Sequence, residues 1–313
     1  MSSQTPPIHS VSNSHPSSTF LTFAIVAGSS IFFCAKGVVA KLAYQYGLDA
    51  VTVLCLRMVC ALPFFILGAW FSSRSKPVPL TWKDHLHLAM LGFFGYYLSS
   101  YVNFLGLQYI SAGLERLVLY TYPSLLLIGQ AVILKKPVRP LIWIVCGIAY
   151  FGLVLAFCGE AHLRGGWKEL FLGAGLVFLS ALSYACFIQM SGDAVRRFGS
   201  TRFTSYVVGF SCLFIIFHYL CTRSPQALFS LPAPAYLCGL ILGIAGTVVP
   251  SFLMGIGLQR AGARRFAIIS MVGPVTTLFL AWWILREPFG FLQGTGFCLS
   301  LVGGLAVGLM KEN

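Results

Sequence analysis

Charge is what this chain has least of. Only 9% of its 313 residues are Asp, Glu, Lys or Arg, while 58% are hydrophobic; a soluble domain carries roughly 25% charged residues. A water-soluble fold of this length could not cover so much apolar surface, which excludes that class. Acids are the scarcest, 8 against 21 basic residues, for a net charge of +13. Such an excess serves nucleic-acid binding only when Lys and Arg cluster on one solvated face. Here they sit in short gaps between apolar runs, so no nucleic-acid partner is expected.

Other absences narrow the chemistry. The ten cysteines form no CxxC pair and no Cys/His spacing of the zinc-site kind. Neither metal nor cofactor is therefore expected, and the cysteines read as small buried side chains. No GxxxxGK[ST] loop is present, which argues against ATP hydrolysis by this chain. Paired in-span acids, a Ser/His couple and metal clusters are missing too, so an intramembrane enzyme is not expected. The first 19 residues hold no Lys or Arg and are rich in Ser, Pro and Thr. Lacking a basic n-region, they read as a disordered cytoplasmic tail and not as a secretory signal.

What the chain does have is apolar length. A helix needs roughly 20 apolar residues to cross a bilayer, and runs at about 20–40, 50–71, 86–107, 112–134, 139–158, 170–191, 203–222, 235–258, 265–285 and 290–310 meet that need. The fold class expected is an all-α integral membrane protein with ten transmembrane helices; a barrel would show alternating segments of about ten residues. Lys and Arg accumulate on the cytoplasmic side of a membrane. With the N-terminus inside, 13 of them face the cytoplasm, 5 face the opposite side, and Lys36, Arg57 and Arg116 remain within spans. Both termini are accordingly expected in the cytoplasm.

The two halves repeat at a spacing of 151 residues without a gap. Leu91, Gly92 and Gly95 return as Leu242, Gly243 and Gly246, Gly106-Leu107-Gln108 as Gly257-Leu258-Gln259, Pro123 as Pro274, and Gly152 as Gly303. The repeat divides the chain into a first five-helix unit (20–158), an external linker (159–169), a second five-helix unit (170–310) and a short C-terminus (311–313). Five is odd, so the second unit enters from the opposite side. The charges agree: Lys135, Lys136 and Arg139 follow the fourth helix, whereas Arg286 stands beside Glu287 after the ninth. Inverted repeats of this kind typify secondary transporters with a midplane site.

These residues carry a resemblance. The paired units, the Pro in the fourth helix of each, and the run from Pro274-Val275 to Leu285-Arg286-Glu287-Pro288 before a Gly-rich last helix resemble the EamA-type branch of the drug/metabolite transporter superfamily. Lys41 and Arg57 match basic residues this family places at the end of its first helix and in its second. Tyr184-Ala185 sits where its sixth helix often has Trp-Ala, with Phe33 as repeat mate. The resemblance covers about residues 20–310. It implies a central cavity lined by helices one to four and six to nine, location in the bacterial cytoplasmic (inner) membrane, and often export of amino acids or related metabolites. Two departures stand out: Lys136 replaces in the first unit the acid that Glu287 represents in the second, and Lys36 occupies a position expected to be neutral.

In-span charges are costly and mark candidate sites. Arg57 reads as a substrate contact or as a structural ion pair or carbonyl clamp; Lys36 reads as a ligand contact or a side chain snorkelling outward. Glu115 and Arg116 open the fourth helix about 100° apart, so both cannot face one cavity squarely. Glu115 is the candidate proton-coupling carboxylate, with a headgroup-level ion pair as its alternative. Pro123 and Pro274 each free a carbonyl four residues back, that of Leu119 and of Ser270, which makes them candidate hinge or cavity breaks, or plain packing kinks. Ser99, Ser100, Tyr101, Asn103, Tyr120, Tyr122, Tyr184 and Gln189 supply the polar and aromatic lining of a small-molecule pocket. The function expected is a secondary transporter, monomer or homodimer in the lipid bilayer, exporting a small molecule with a carboxylate or phosphate, such as an amino acid or derivative. An importer of a nucleoside or methyl-donor compound, and a non-transporting receptor or scaffold, are the alternatives.

Overall fold

The computed structural model of the chain describes residues 16–75, 79–133, 135, 140–164, 166–270 and 272–309. Residues 1–15 of the expected tail and the loop cations Lys76, Lys136, Arg139 and Lys311 lie outside the described residues. Among the described residues the chain is helical throughout, without strands. The helices are α1 (Pro16–Gln45), α2 (Ala50–Ser75), α3 (Trp82–Gly92), α4 (Ser99–Leu107), α5 (Ala112–Leu119), α6 (Tyr122–Ile133), α7 (Pro140–Arg164), α8 (Trp167–Phe198), α9 (Ser200–Thr222), α10 (Ala233–Gly243), α11 (Val249–Ser270), α12 (Val272–Leu285) and α13 (Phe291–Leu309). A π-helical turn joins α3 to α4 at Phe93–Leu98, and another joins α10 to α11 at Ile244–Val248.

Seven segments among the described residues are long and apolar enough to cross a membrane: Phe20–Gln45, Ala50–Arg74, Trp82–Leu107, Pro140–Leu163, Trp167–Phe198, Ser200–Thr222 and Ala233–Gly257. Their outer faces keep large apolar side chains such as Trp70, Phe71, Phe151 and Phe217 exposed, as lipid contact requires. The chain is a multi-pass integral membrane protein. The expected count of ten is not met by this length criterion among the described residues. Pro123 cannot donate to the Leu119 carbonyl, and the expected span 112–134 is split into α5 and α6. Val272–Leu285 and Phe291–Ala306 are further apolar segments, shorter within the described residues.

Three boundaries depart from expectation. The linker expected at 159–169 nearly vanishes, because α7 continues to Arg164 and α8 begins at Trp167 behind Gly166, whose φ of +75° suits glycine. Residues 16–19 of the expected tail are already helical, part of α1. The loop expected between 258 and 265 is helical, part of α11. In the first half, Ser111 caps α5 by accepting from the Leu114 N–H and so starts a new helix. Its repeat mate is Gly262, which has no side chain to do the same.

The repeat reappears in three dimensions. Both π-turns begin at mated residues, 93 and 244. Lys135 and Arg286, also mates, are the non-glycine residues at positive φ among the described residues, 52° and 54°. Contacts recur with the halves exchanged: Ser29 Oγ donates to the Pro250 carbonyl at 3.0 Å, and Ser99 Oγ donates to the Ser180 carbonyl at 3.2 Å. Likewise a Cβ on Gly95 would strike Phe187, while one on Gly246 would meet Lys36 Cβ at 3.4 Å. Helices α7 and α13 form the seam, with Gly303 against Ala149, Gly152 against Ser300, Gly296 against Ala156 and Gly159 against Gln293. Numbers rise on one helix as they fall on the other, so these mated helices run antiparallel.

At the end of the bundle where α1 stops and α5 starts, polar contacts tie the helices together. Glu287 pairs with Lys41 at 2.9 Å and accepts from the Ala112 N–H at 3.1 Å. Glu160 accepts from the Ser111 N–H at 2.6 Å, from the Ser111 hydroxyl and from Gln293 Nε2 at 3.2 Å. In the α1–α2 loop, Asp49 meets Arg223. Partial burial pushes the Asp49 carboxyl up, but hydrogen bonds from Thr52 and from Arg223 outweigh it and hold it below the usual carboxylate range.

Candidate functional site

Between the halves lies a cavity of about 140 Å³, lined from α1, α2, the first π-turn, α4, α5, α6, α8 and α11. Its polar face on the π-turn and α4 is set by helical phase: Tyr96, Ser99, Ser100 and Asn103 recur at i, i+3, i+4 and i+7. The break between α5 and α6 delivers Tyr120 and Tyr122, and α8 contributes Tyr184, whose ring meets Tyr122 edge-on at 5.2 Å.

Three cations face this space: Lys36, Arg57 and Arg116. Arg57 is 2% exposed. Its Nε donates to Thr247 Oγ1 at 2.7 Å, its guanidinium lies 5.5 Å from the Phe104 ring centroid, and its Nη1 has no hydrogen-bond partner among the described residues. Lys36 has no ion pair or hydrogen bond among the described residues, and Arg57 has no carboxylate partner among them. Arg116 is tied more fully. Its Nη2 donates to the Phe33 and Cys34 carbonyls, each at 3.3 Å, and its Nε stands 3.7 Å from Glu115 Oε2.

Glu115 is fully buried behind the lining; Asn103 Nδ2 donates to its Oε1 at 2.8 Å, and its Oε2 accepts no hydrogen bond from the described residues. The 100° offset thus resolves with Arg116 on the cavity and Glu115 one layer back. Gly37 makes room for it, since a Cβ there would sit 3.2 Å from Glu115 Oε2.

Among the other expected residues, Ser100, Asn103, Tyr120, Tyr122 and Tyr184 line the cavity. Tyr101 and Gln189 do not. Tyr101 stacks on Tyr97 and packs against His218 on α9, and Gln189 is exposed on α8. Pro123 borders a smaller cavity of about 30 Å³ behind the helix break, and Pro274 is buried. The carbonyl that Pro274 frees, that of Ser270, is not left open for a ligand: Ser30 Oγ donates to it at 2.7 Å and the Tyr120 hydroxyl at 3.3 Å.

Residues outside the expected set also contribute. Ser29, Ser30, Phe33, Tyr96, Ser180 and Met254 line the cavity, and Thr247 orients Arg57. Glu160, only 1% exposed, is a second buried acid of the first half. Its position falls in the expected external linker, where no local pattern announces its contact with Ser111 across 49 residues of chain.

Comparison with known proteins agrees with this architecture. The family model described as "EamA-like transporter family" matches twice, at residues 20–158 and 171–309. A Bacillus subtilis (strain 168) protein, "Uncharacterized transporter YcbK", is 31% identical over 297 residues, covering 90% of this chain and 91% of its own length. An "Uncharacterized transporter" of Archaeoglobus fulgidus is 25% identical over 260 residues, covering 82% of this chain and 87% of its own. A crystal structure of another protein superposes with a TM-score of 0.59 at 17% identity, over 94% of this chain and 96% of that one, a likeness of fold alone. Two family matches spanning nearly the whole chain, on a membrane bundle with a polar cavity between its halves, make this a transporter, and the chain belongs to the EamA-like transporter family.

Proposed function

We propose that the protein is a secondary transporter that moves a small metabolite bearing a carboxylate or phosphate, such as an amino acid or derivative, by alternating access of two inverted five-helix units. The observation that carries the substrate class is the pair Lys36 and Arg57, which face the cavity without a salt-bridged carboxylate among the described residues. Unpaired cations in a low-dielectric site are costly, and an anionic ligand supplies the missing counter-charge. Ser100, Asn103, Tyr120, Tyr122 and Tyr184 then serve as hydrogen-bonding and aromatic walls around it.

The antiparallel seam of α7 and α13 supports inversion, because a two-fold axis relating antiparallel helices lies across them and, in a membrane, in its plane. On this reading the ten spans are the seven full-length segments together with the broken α5–α6 pair, α12 and α13, and both termini are cytoplasmic. The polar contacts of Lys41, Glu287, Ser111 and Glu160 then lie at the external end and hold it shut. Export from the cytoplasm is the favoured direction. Glu115, whose Oε2 accepts no hydrogen bond, is the proton-exchanging carboxylate.

The test is transport in reconstituted vesicles under an imposed pH gradient, against a panel of amino acids, their acidic derivatives and phosphorylated metabolites. The gradient should drive accumulation of an anionic member by the intact protein. Glu115→Gln should keep gradient-independent exchange but lose that accumulation. Transport of cations alone, or of nothing, would defeat the reading.

A further inference from the structure

The cation most deeply enclosed at the cavity owes its pose to a residue on the far half of the chain. Arg57 Nε donates to Thr247 Oγ1 at 2.7 Å across 190 residues of sequence, and Thr247 is fully buried. The Thr247 hydroxyl is itself committed, because its proton goes to the Leu242 carbonyl at 2.8 Å, five residues back. That contact belongs to the π-helical turn Ile244–Val248, whose wider winding sets residue i over residue i−5. With the O–H so engaged, only oxygen lone pairs face Arg57, and they suit the Nε–H. The Phe104 ring, 5.5 Å from the guanidinium carbon, flanks the group. Nη1 remains, buried without a partner, on a residue that lines the cavity. The repeat mate of Thr247 is Tyr96, a residue of the first π-turn that also lines the cavity.

Resting on the anion-transport reading above, we propose that the free Nη edge of Arg57 is the docking point for the carboxylate or phosphate of the substrate, and that Thr247 is the positioning residue that aims it. An anchored guanidinium presents its remaining donors as a fixed fork, which fits the two oxygens of such a group. An unanchored one has to be ordered each time a ligand binds.

The full-length protein in lipid nanodiscs, titrated calorimetrically with inorganic phosphate and separately with L-glutamate, provides the test. Wild-type protein should bind at least one of the two. Thr247→Val, which keeps the shape and loses the hydroxyl, should weaken that binding roughly ten-fold, the size of a hydrogen bond to a charged group. Thr247→Ser should restore it. In an Arg57→Lys background, which keeps the charge but has no Nε–H to anchor, the Val substitution should add no further loss. Should Thr247→Val fail to give a monodisperse protein, Thr247→Cys takes its place in the same cycle. Unchanged affinity in the Thr247 variant, or an equal loss in the Arg57→Lys background, would overturn the positioning role while leaving the anion reading intact. Wild-type protein that binds neither probe would remove the anion reading itself, and the proposal with it.

Discussion

Arg57→Met is expected to cut transport by about two orders of magnitude while the protein remains folded. The loss follows from removing charge-assisted hydrogen bonds, each worth roughly 1.5–3 kcal/mol when one partner is charged, where 1.4 kcal/mol is about ten-fold. Folding is spared for a specific reason. Removing one member of a buried ion pair strands the other charge, but Arg57 has no carboxylate partner among the described residues. Methionine fills much of the vacated volume beside Phe104 and leaves only the Thr247 hydroxyl, which keeps its bond to the Leu242 carbonyl. Size-exclusion profile and thermal melting in detergent, measured beside vesicle transport, separate the two effects. A variant that transports normally would show that the buried guanidinium is architecture and not a binding group.

Gly296→Leu is expected to prevent assembly altogether. Its position faces backbone: a Cβ there would press on the Ala156 nitrogen and the Gly152 carbonyl oxygen, atoms that cannot rotate away. Overpacking a well-packed site costs typically 1–3 kcal/mol, and here α7 and α13 must part along their length, so a cost of about 3 kcal/mol or more is expected. Gly152 and Gly303 press on the opposite helix in the same way. Membrane helices associate largely through such close approach of small residues. The check is the yield of monodisperse protein relative to Gly175→Leu, a position with open space around its Cβ. Equal yields would mean that the seam tolerates separation.

The repeat was legible because it needs only matched letters, and one mated pair of its glycines, Gly152 and Gly303, helps close the seam. Span positions followed from apolar length, and the helix break near Pro123 from the missing N–H. The cavity was half legible. Helical phase alone sets Ser100 and Asn103 together and turns Tyr101 aside by about 100°. It likewise separates Gln189 from Tyr184, five positions and about 140° apart on α8. What no local pattern carries is partnership between distant residues. Glu160 is a core residue because the start of α5 docks against it, and Thr247 matters because a π-turn aims it at Arg57. The continuity of α11 turns on Gly262 standing where the first half has a capping Ser111, a small difference with a long structural reach.

The account depends above all on the two halves lying upside down relative to one another in the bilayer. Lys135 and Arg286 are repeat mates, both exposed at the ends of mated helices, so a single pair of labels decides it. In a cysteine-free background, Lys135→Cys and Arg286→Cys would each be treated with a membrane-impermeant maleimide on intact cells and again after permeabilisation. The predicted result is that Arg286→Cys reacts from outside and Lys135→Cys only once the membrane is opened; labelling of both from the same side would contradict the inverted arrangement.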